Sequence, residues 1–279
     1  MLSGRVNLVV ALRTEAQPLI DHLGMSPVSS GRGFRSFVNS DRGLALVLSG
    51  VGRSAAAAAA AYLGRDDTDP AWLNVGIAGH RSLPIGSARM AHKVHCAASA
   101  RSWYPPIVFE PPCPTATVRT VDRATRDFPT DDLYDMEAAG FYEIAARFAP
   151  HELVHSFKVV SDNLAHQAET LTADSIESLI GDNLETIDAL IEPLRRLSAE
   201  RCQRRVEPRG LGQLLQAFHF TTTHRRQLRR LLRRWSVVCA QVDAVDWVAS
   251  RALSDAGSVI ASMRQHLEGV APKFPPYRR

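Results

Sequence analysis

The chain has 279 residues, with 33 basic and 29 acidic side chains, a net charge of +4 and 45% hydrophobic residues, enough for one large domain or a domain with an appendage. No stretch approaches the roughly 20 uninterrupted apolar residues of a membrane span, and the first apolar run has neither a basic leader nor a small-residue cleavage site. The four cysteines, Cys96, Cys113, Cys202 and Cys239, are too scattered for a metal knuckle or a dense disulfide framework, so a cytoplasmic protein with reduced thiols and no membrane partner is expected.

Residues 6–12, VNLVVAL, read as a strand covered on both faces, and TEAQPLIDHL follows with Ala16, Leu19, Ile20 and Leu23 at helical spacing. The same alternation recurs. LALVLSG runs into VGRSAAAAAAAYL, whose seven alanines suit close packing of a helix on a sheet; WLNVGIAG follows, and LVHSFKVVSD precedes a long helical stretch from about Leu171 to Leu197. Strands alternating with helices predict an α/β fold with a mostly parallel mixed sheet flanked by helices. Residues 95–132 are expected to be loops, because prolines at 105, 106, 111, 112 and 114 interrupt any regular element, with TATVRTVD as a candidate strand. After Pro208 the text changes to two or three helices, where Leu228, Leu231, Leu232 and Trp235 share one face and the arginines the other, and the tail KFPPYRR is expected to fray.

Ligands of an open parallel sheet bind beyond the carboxyl ends of its strands, so the polar residues that close each apolar run are the informative ones. They are Glu15 after VVALRT, Gly50 and Gly52 after ALVLS, Gly76, Ala78 and Gly79 after WLNV, Glu137 where LYDM turns into its helix, and Ser161 and Asp162 closing FKVV. Glycines at such turns let backbone amides approach a ligand closely. Taken singly, each has a structural explanation: Glu15 is a first-turn acid, Glu137 suits a helix N-terminus, and Asp162 caps a strand end. The histidines lack the i,i+4 pairing that would suggest a metal, and no cofactor is expected.

In combination and in this order, the segments of residues 1–200 resemble the purine nucleoside phosphorylase and nucleosidase superfamily, particularly its methylthioadenosine/S-adenosylhomocysteine nucleosidases. VALRTEAQPL is similar to the family's first strand and acidic turn, SGVGRSAAAAAAAYL to its Gly-x-Gly turn and helix, NVGIAG to its Asn-x-Gly-x-Ala-Gly loop, YDMEAAG to its Met-Glu signature and VVSDN to its Ser-Asp strand end. The resemblance implies cleavage of the N-glycosidic bond of an adenine-type, 5′-modified purine nucleoside. Glu137 would hold the ribose hydroxyls and Met136 pack on the sugar. Ala78 and Gly79 would lend backbone around the base, Asp162 would protonate it near N7, and Glu15 would deprotonate the attacking water. Gly50, Gly52 and Ser161 would complete the binding shell, and Asp135 would be structural. A homodimer or higher homo-oligomer is implied as well.

Hydrolysis is preferred to phosphorolysis. A phosphate dianion needs arginine and hydroxyl donors, and LNVGIAGH offers neither, with Arg53 the nearest candidate. Two departures stand out: the compared nucleosidases carry a serine where Ile77 stands, and the base-stacking segment is short and proline-rich, leaving Trp103, Tyr104 and Phe109 as candidates for the stacking face. A non-catalytic nucleoside sensor or nucleic-acid-associated protein is the reading of another class.

Its support is an asymmetry of charge. Residues 1–200 carry 18 basic and 24 acidic side chains, while residues 201–279 carry 15 and 5, giving −6 and +10. A catalytic domain over 1–200 and a basic helical module over 201–279 are therefore expected. Nucleic acid could be held through residues 225–234, but the leucines and Trp235 of that helix look built for packing, so a solvated helix face, or packing on the acidic catalytic domain of its own or a neighbouring subunit, is preferred.

Overall fold

The computed structural model describes residues 4–28, 33–65, 70–168, 171–205 and 207–270; the tail expected to fray lies outside them. The chain divides into two compact units, Met1–Arg204 and Arg205–Arg279, each with its own apolar core.

In the first unit the strands are β1 (Val6–Val10), β2 (Ser26–Pro27), β3 (Ser36–Asn39), β4 (Leu44–Leu48) and β5 (Ala71–Gly79), followed by β6 (Ala88–Cys96), β7 (Ser102–Trp103), β8 (Thr115–Thr120), β9 (Leu133–Asp135) and β10 (Val154–Asp162). The helices are α1 (Arg13–His22), α2 (Arg53–Gly64), α3 (Ala138–Phe148), α4 (Ala173–Gly181) and α5 (Leu184–Arg205). Strands β1 and β10 are buried along their whole length, as unbroken apolar runs require when helices cover both faces. The longest pairings, β5 with β10, β6 with β8, and β1 with both β4 and β5, are parallel. Shorter antiparallel pairings join β10 to β6, β3 to β4 and β5 to β9. The sheet is therefore mixed and mostly parallel, as the alternation of elements implied.

Two features of this sheet position everything that follows. Pairing of β10 with both β5 and β6 closes a ring, β5–β10–β6–β8–β9–β5, from which β1, β4, β3 and β2 extend as a wing. In addition, β1 stops pairing with β5 at Val10↔Val75, whereas β9 meets β5 only at Gly79↔Tyr134. The edge of β5 between those points faces a gap where neighbouring strands diverge, the kind of crevice in which α/β sheets bind ligands.

Residues 95–132 are more ordered than their prolines suggested. Strand β8 coincides with the candidate TATVRTVD, β7 forms a two-residue pair with β6, and β6 itself was not anticipated. Helix α2 buries Ala56, Ala59 and Ala60. It lies so close to α3 that a Cβ on Gly140 would collide with the Arg53 carbonyl. Helix α5 is tied to the start of β1, since Ser198 Oγ accepts a hydrogen bond from the Arg5 amide at 3.0 Å.

The second unit contains α6 (Leu211–Ala217), α7 (Thr222–Val238), α8 (Ala244–Ala249) and α9 (Ala256–Gly269). Leu228, Leu232 and Trp235 on α7 are buried with Trp247, Val259, Met263 and Leu267 of the same unit, and Leu231 packs against this core. Trp235 meets Trp247 edge-to-face at 4.7 Å and donates Nε1–H to the Val242 carbonyl at 2.8 Å. Among the described residues no helix is long and apolar enough to cross a membrane.

Candidate active site

The gap along β5 opens into a cavity of about 200 Å³. Glu15 enters it from the first turn of α1, where burial leaves only 3% of the residue exposed. Its Oε1 accepts from the Ile77 amide at 2.9 Å and its Oε2 from the Leu12 amide at 2.8 Å. The Ile77 amide sits on the edge that β1 has left and β9 has not reached, so the carboxylate satisfies a strand donor that would otherwise be orphaned. Burial pushes the Glu15 carboxyl above its ordinary range, opposed by the charge of Lys158 and the two amide bonds.

Glu137 stands at the start of α3 across the cavity. Its Oε1 accepts from the Gly52 amide at 2.8 Å, and Gly52 can present that amide because its φ of 105° suits a residue without a side chain. Burial raises this carboxyl too, with Lys158 pulling it back. Two residues earlier, Asp135 is fully engaged: Oδ1 accepts from Thr120 Oγ1 at 2.6 Å, and Oδ2 accepts from the Ala138 amide at 2.7 Å and from Lys158 Nζ at 2.9 Å. Its role is to hold the β9–α3 turn and the lysine.

Lys158 was read in the sequence only as part of an apolar strand. Its side chain is 1% exposed. Burial alone would lower its pKa, but Asp135, Glu137 and Glu15 together hold the ammonium above the ordinary lysine value. Three carboxylates from α1, β9 and α3 thus share one buried cation supplied by β10. Room for it comes from Gly76, where a Cβ would lie 2.9 Å from Glu15 Oε1 and 3.3 Å from Lys158 Nζ.

Asp162 closes β10 at the far end of the cavity and is 8% exposed. The Ser161 hydroxyl donates to its Oδ1 at 2.6 Å. Its Oδ2 lies over Gly79, where a Cβ would approach to 2.8 Å, and Phe128 covers the same glycine at 2.7 Å. Phe128 and Tyr134 meet edge-to-face at 5.3 Å and both line the cavity. They are the aromatic side chains that line the cavity among the described residues, whereas the stacking face was expected from Trp103, Tyr104 or Phe109. Among its candidates, Tyr104 is 63% exposed beside Lys93, Phe109 packs on His155, and Trp103 lies on the short β7 beneath Arg101; none lines the cavity.

Of the residues expected from sequence, Glu15, Ala78, Gly79, Met136, Glu137, Ser161 and Asp162 all line this one cavity. Gly50 and Gly52 are not in the lining; Val51 between them is, and Gly52 reaches the site through its amide on Glu137. The remaining walls are mostly apolar, including Leu12, Ile77, Ala124 and Leu171, with Thr125 and Asp135 as the polar exceptions. Among the described residues the lining has neither arginine nor lysine. Arg53 is turned to Asp122 at 2.9 Å and to Cys96 Sγ at 3.3 Å.

The sequence matches no known family profile and no curated protein. Solved structures do share its fold. The 5′-methylthioadenosine/S-adenosylhomocysteine nucleosidase of Helicobacter pylori, bound to butyl-thio-DADMe-Immucillin-A, is 12% identical over 69% of this chain and 100% of its own, with a TM-score of 0.59. The apo 5′-methylthioadenosine nucleosidase of Arabidopsis thaliana is 18% identical over 69% and 96%, at 0.56. Futalosine hydrolase of Helicobacter pylori is 13% identical over 68% and 98%, also at 0.56. The nucleosidase-like fold expected from the motifs is therefore present, and at these identities the likeness is one of fold.

Proposed function

We propose that the chain is a nucleosidase that hydrolyses the N-glycosidic bond of a purine nucleoside, an adenine nucleoside carrying an apolar 5′ substituent. The observation that carries this reading is the convergence of Glu15, Glu137 and Asp162, each with different partners, on one cavity, with the buried Lys158 acting electrostatically on the two glutamates from behind its lining.

The chemistry needs separate help at three atoms. Glu137 receives the ribose 2′- and 3′-hydroxyls: the Gly52 amide fixes Oε1, which leaves Oε2 and the unused lone pairs as acceptors. Met136 packs on the sugar, and the base lies between the Phe128–Tyr134 pair and the backbone of Ala78 and Gly79. As the C1′–N9 bond breaks, its electron pair moves into the purine, and Asp162 supplies a proton at N7 while Ser161 holds its other oxygen. Water adds to C1′ of the resulting sugar cation and yields its proton to Glu15, whose raised pKa makes it a better base than an exposed glutamate. Lys158 fixes the charges of Glu15 and Glu137 during this exchange.

Water is preferred to phosphate because, among the described residues, the cavity lining has no arginine or lysine, the nearby Lys158 is paired with Asp135 and held by the charges of Glu137 and Glu15, and Arg53 is engaged elsewhere. The apolar walls around Leu12, Val51 and Leu171 suit a 5′ group without charge. The test is chromatographic detection of free base from 5′-methylthioadenosine, S-adenosylhomocysteine, adenosine and inosine, with and without inorganic phosphate. Release of adenine at equal rates in both buffers is expected. Strict dependence on phosphate would replace hydrolysis by phosphorolysis, and tight binding without release would leave a sensor.

A further inference from the structure

The Arg205–Arg279 unit takes no part in the proposed chemistry, yet it carries an unusual surface. Its apolar side chains explain one side of α7 completely, because Leu228, Leu232 and Trp235 are consumed by the unit's own core. The packing that favoured a subunit contact in the sequence is thus internal. What remains outside is the arginine face.

Some of these arginines have local tasks. Arg229 pairs with Glu207 at 2.7 Å, Arg225 donates to the Phe220 carbonyl, and Arg251 stacks on Trp247 at 3.5 Å. Others do not. The guanidinium groups of Arg230, Arg233 and Arg264 make no hydrogen bond or ion pair among the described residues, and all three are exposed. Together with Arg234, which donates to the Leu267 carbonyl at 3.0 Å, they line a groove of about 500 Å³ between α7 and α9. Gln227, Leu231 and a single acid, Glu268, complete it. Like charges at i,i+4, as in Arg226/Arg230 and Arg230/Arg234, disfavour a helix, and over residues 207–270 nine basic side chains face only five acidic ones. Among the described residues Glu268 is the one acid in the groove lining, against four arginines, and Glu207, which pairs with Arg229, acts on Arg233 from outside it.

We propose that the α7–α9 groove binds the sugar–phosphate backbone of double-stranded nucleic acid. A rise of 1.5 Å per residue spaces the groove residues Arg230 and Arg234 by about 6 Å along the axis, comparable with two phosphate intervals of one strand at about 3.4 Å each. The planar guanidinium fork suits phosphate oxygens. The groove contains no aromatic side chain; binders of single strands rely on such stacking platforms, so the duplex is the better fit. Recognition is by charge and is independent of base sequence.

Fluorescence anisotropy of a labelled, mixed-sequence DNA duplex with the full chain, between about 50 and 200 mM salt, tests this. Log affinity should fall against log salt with a slope near −3.6, about 0.9 for each of four groove arginines. The triple variant Arg230→Gln, Arg233→Gln, Arg264→Gln should lose about 2.7 of that slope, whereas the same three positions changed to Lys should keep it, since counterion release follows charge. Nucleosidase turnover should be unaffected in both. Absence of a salt-sensitive complex, or an unchanged slope in the glutamine variant, would overturn the proposal. So would a wild-type assembly that binds no duplex and dissociates in that variant by light scattering, which would assign the groove to a protein contact.

Discussion

Replacing Lys158 by methionine tests the electrostatic centre of the cavity. Methionine keeps most of the buried stem and removes the ammonium that Asp135, Glu137 and Glu15 share. Removing one partner of a buried pair typically costs about 3–5 kcal/mol. Solvent screens this pair little, since the two side chains of the Lys158–Asp135 pair are 1% and 0% exposed. In a unit of this size 1 kcal/mol moves the unfolding midpoint by roughly 2–4 °C, so the Met1–Arg204 transition should fall by about 6–20 °C near pH 8. The pH dependence carries the sign. In the parent chain Lys158 is raised above 10.5, so its contribution is fully present below that value and disappears only at higher pH. In the variant, Glu15 and Glu137 are raised further above their unfolded values. The folded state then binds more protons than the unfolded one, and stability returns as pH falls through the raised values. Calorimetry of the full chain at about pH 8 and pH 5.5 should therefore show a deficit that shrinks on acidification. An unchanged midpoint at the higher pH, or a deficit that grows in acid, refutes the shared-cation argument.

Three further outcomes are expected. Asp162→Asn should lower kcat for base release by about 10²–10⁴, the usual range for a lost general acid, and undiminished turnover would remove its role. Phe128→Ala should weaken substrate binding by about 5- to 150-fold, from roughly 1–3 kcal/mol of base–aromatic stacking, read as KM or as inhibitor Kd; a variant with normal affinity would show that the base lies elsewhere. Because Glu15 must be ionised to accept a proton and its pKa is raised above 4.5, kcat/KM should be lost as pH falls through that raised value. A flat profile down to pH 4.5 would exclude Glu15 as the base.

The legible parts of the site were those whose signal is local. Apolar runs mark β1, β4, β5 and β10, and the residues that end them, from Glu15 to Asp162, meet in one cavity because a parallel sheet brings its carboxyl ends to one side. Lys158 was invisible because a lone lysine inside HSFKVV looks like strand noise; its meaning depends on Asp135, which is far from it in sequence. Phe128 lay in a segment without periodicity, and its place over the sheet depends on a contact with Gly79, where any side chain would collide with its ring. Strand β6 was obscured because ARMAHKVHC mixes Arg89, His92, Lys93 and His95 with its apolar positions, several of them only partly buried. In the second unit the apolar stripe of α7 was read correctly and its partner was not: α8 and α9 cover it, which no pattern within α7 could announce.

The ring that β10 completes also sets an order of events for the newborn chain. Strand β5 finds β1 early, since both precede residue 80, but its other edge waits for residues 154–162. Until they arrive, WLNVGIAG presents an unpaired apolar edge of the kind that recruits other chains, and pairing across so long a loop is intrinsically slow. The last strand to join is also the one that carries both Lys158 and Asp162. Closure of the ring and delivery of Lys158 and Asp162 to the site are therefore a single step, so a partly folded chain has a vulnerable sheet and an incomplete cavity.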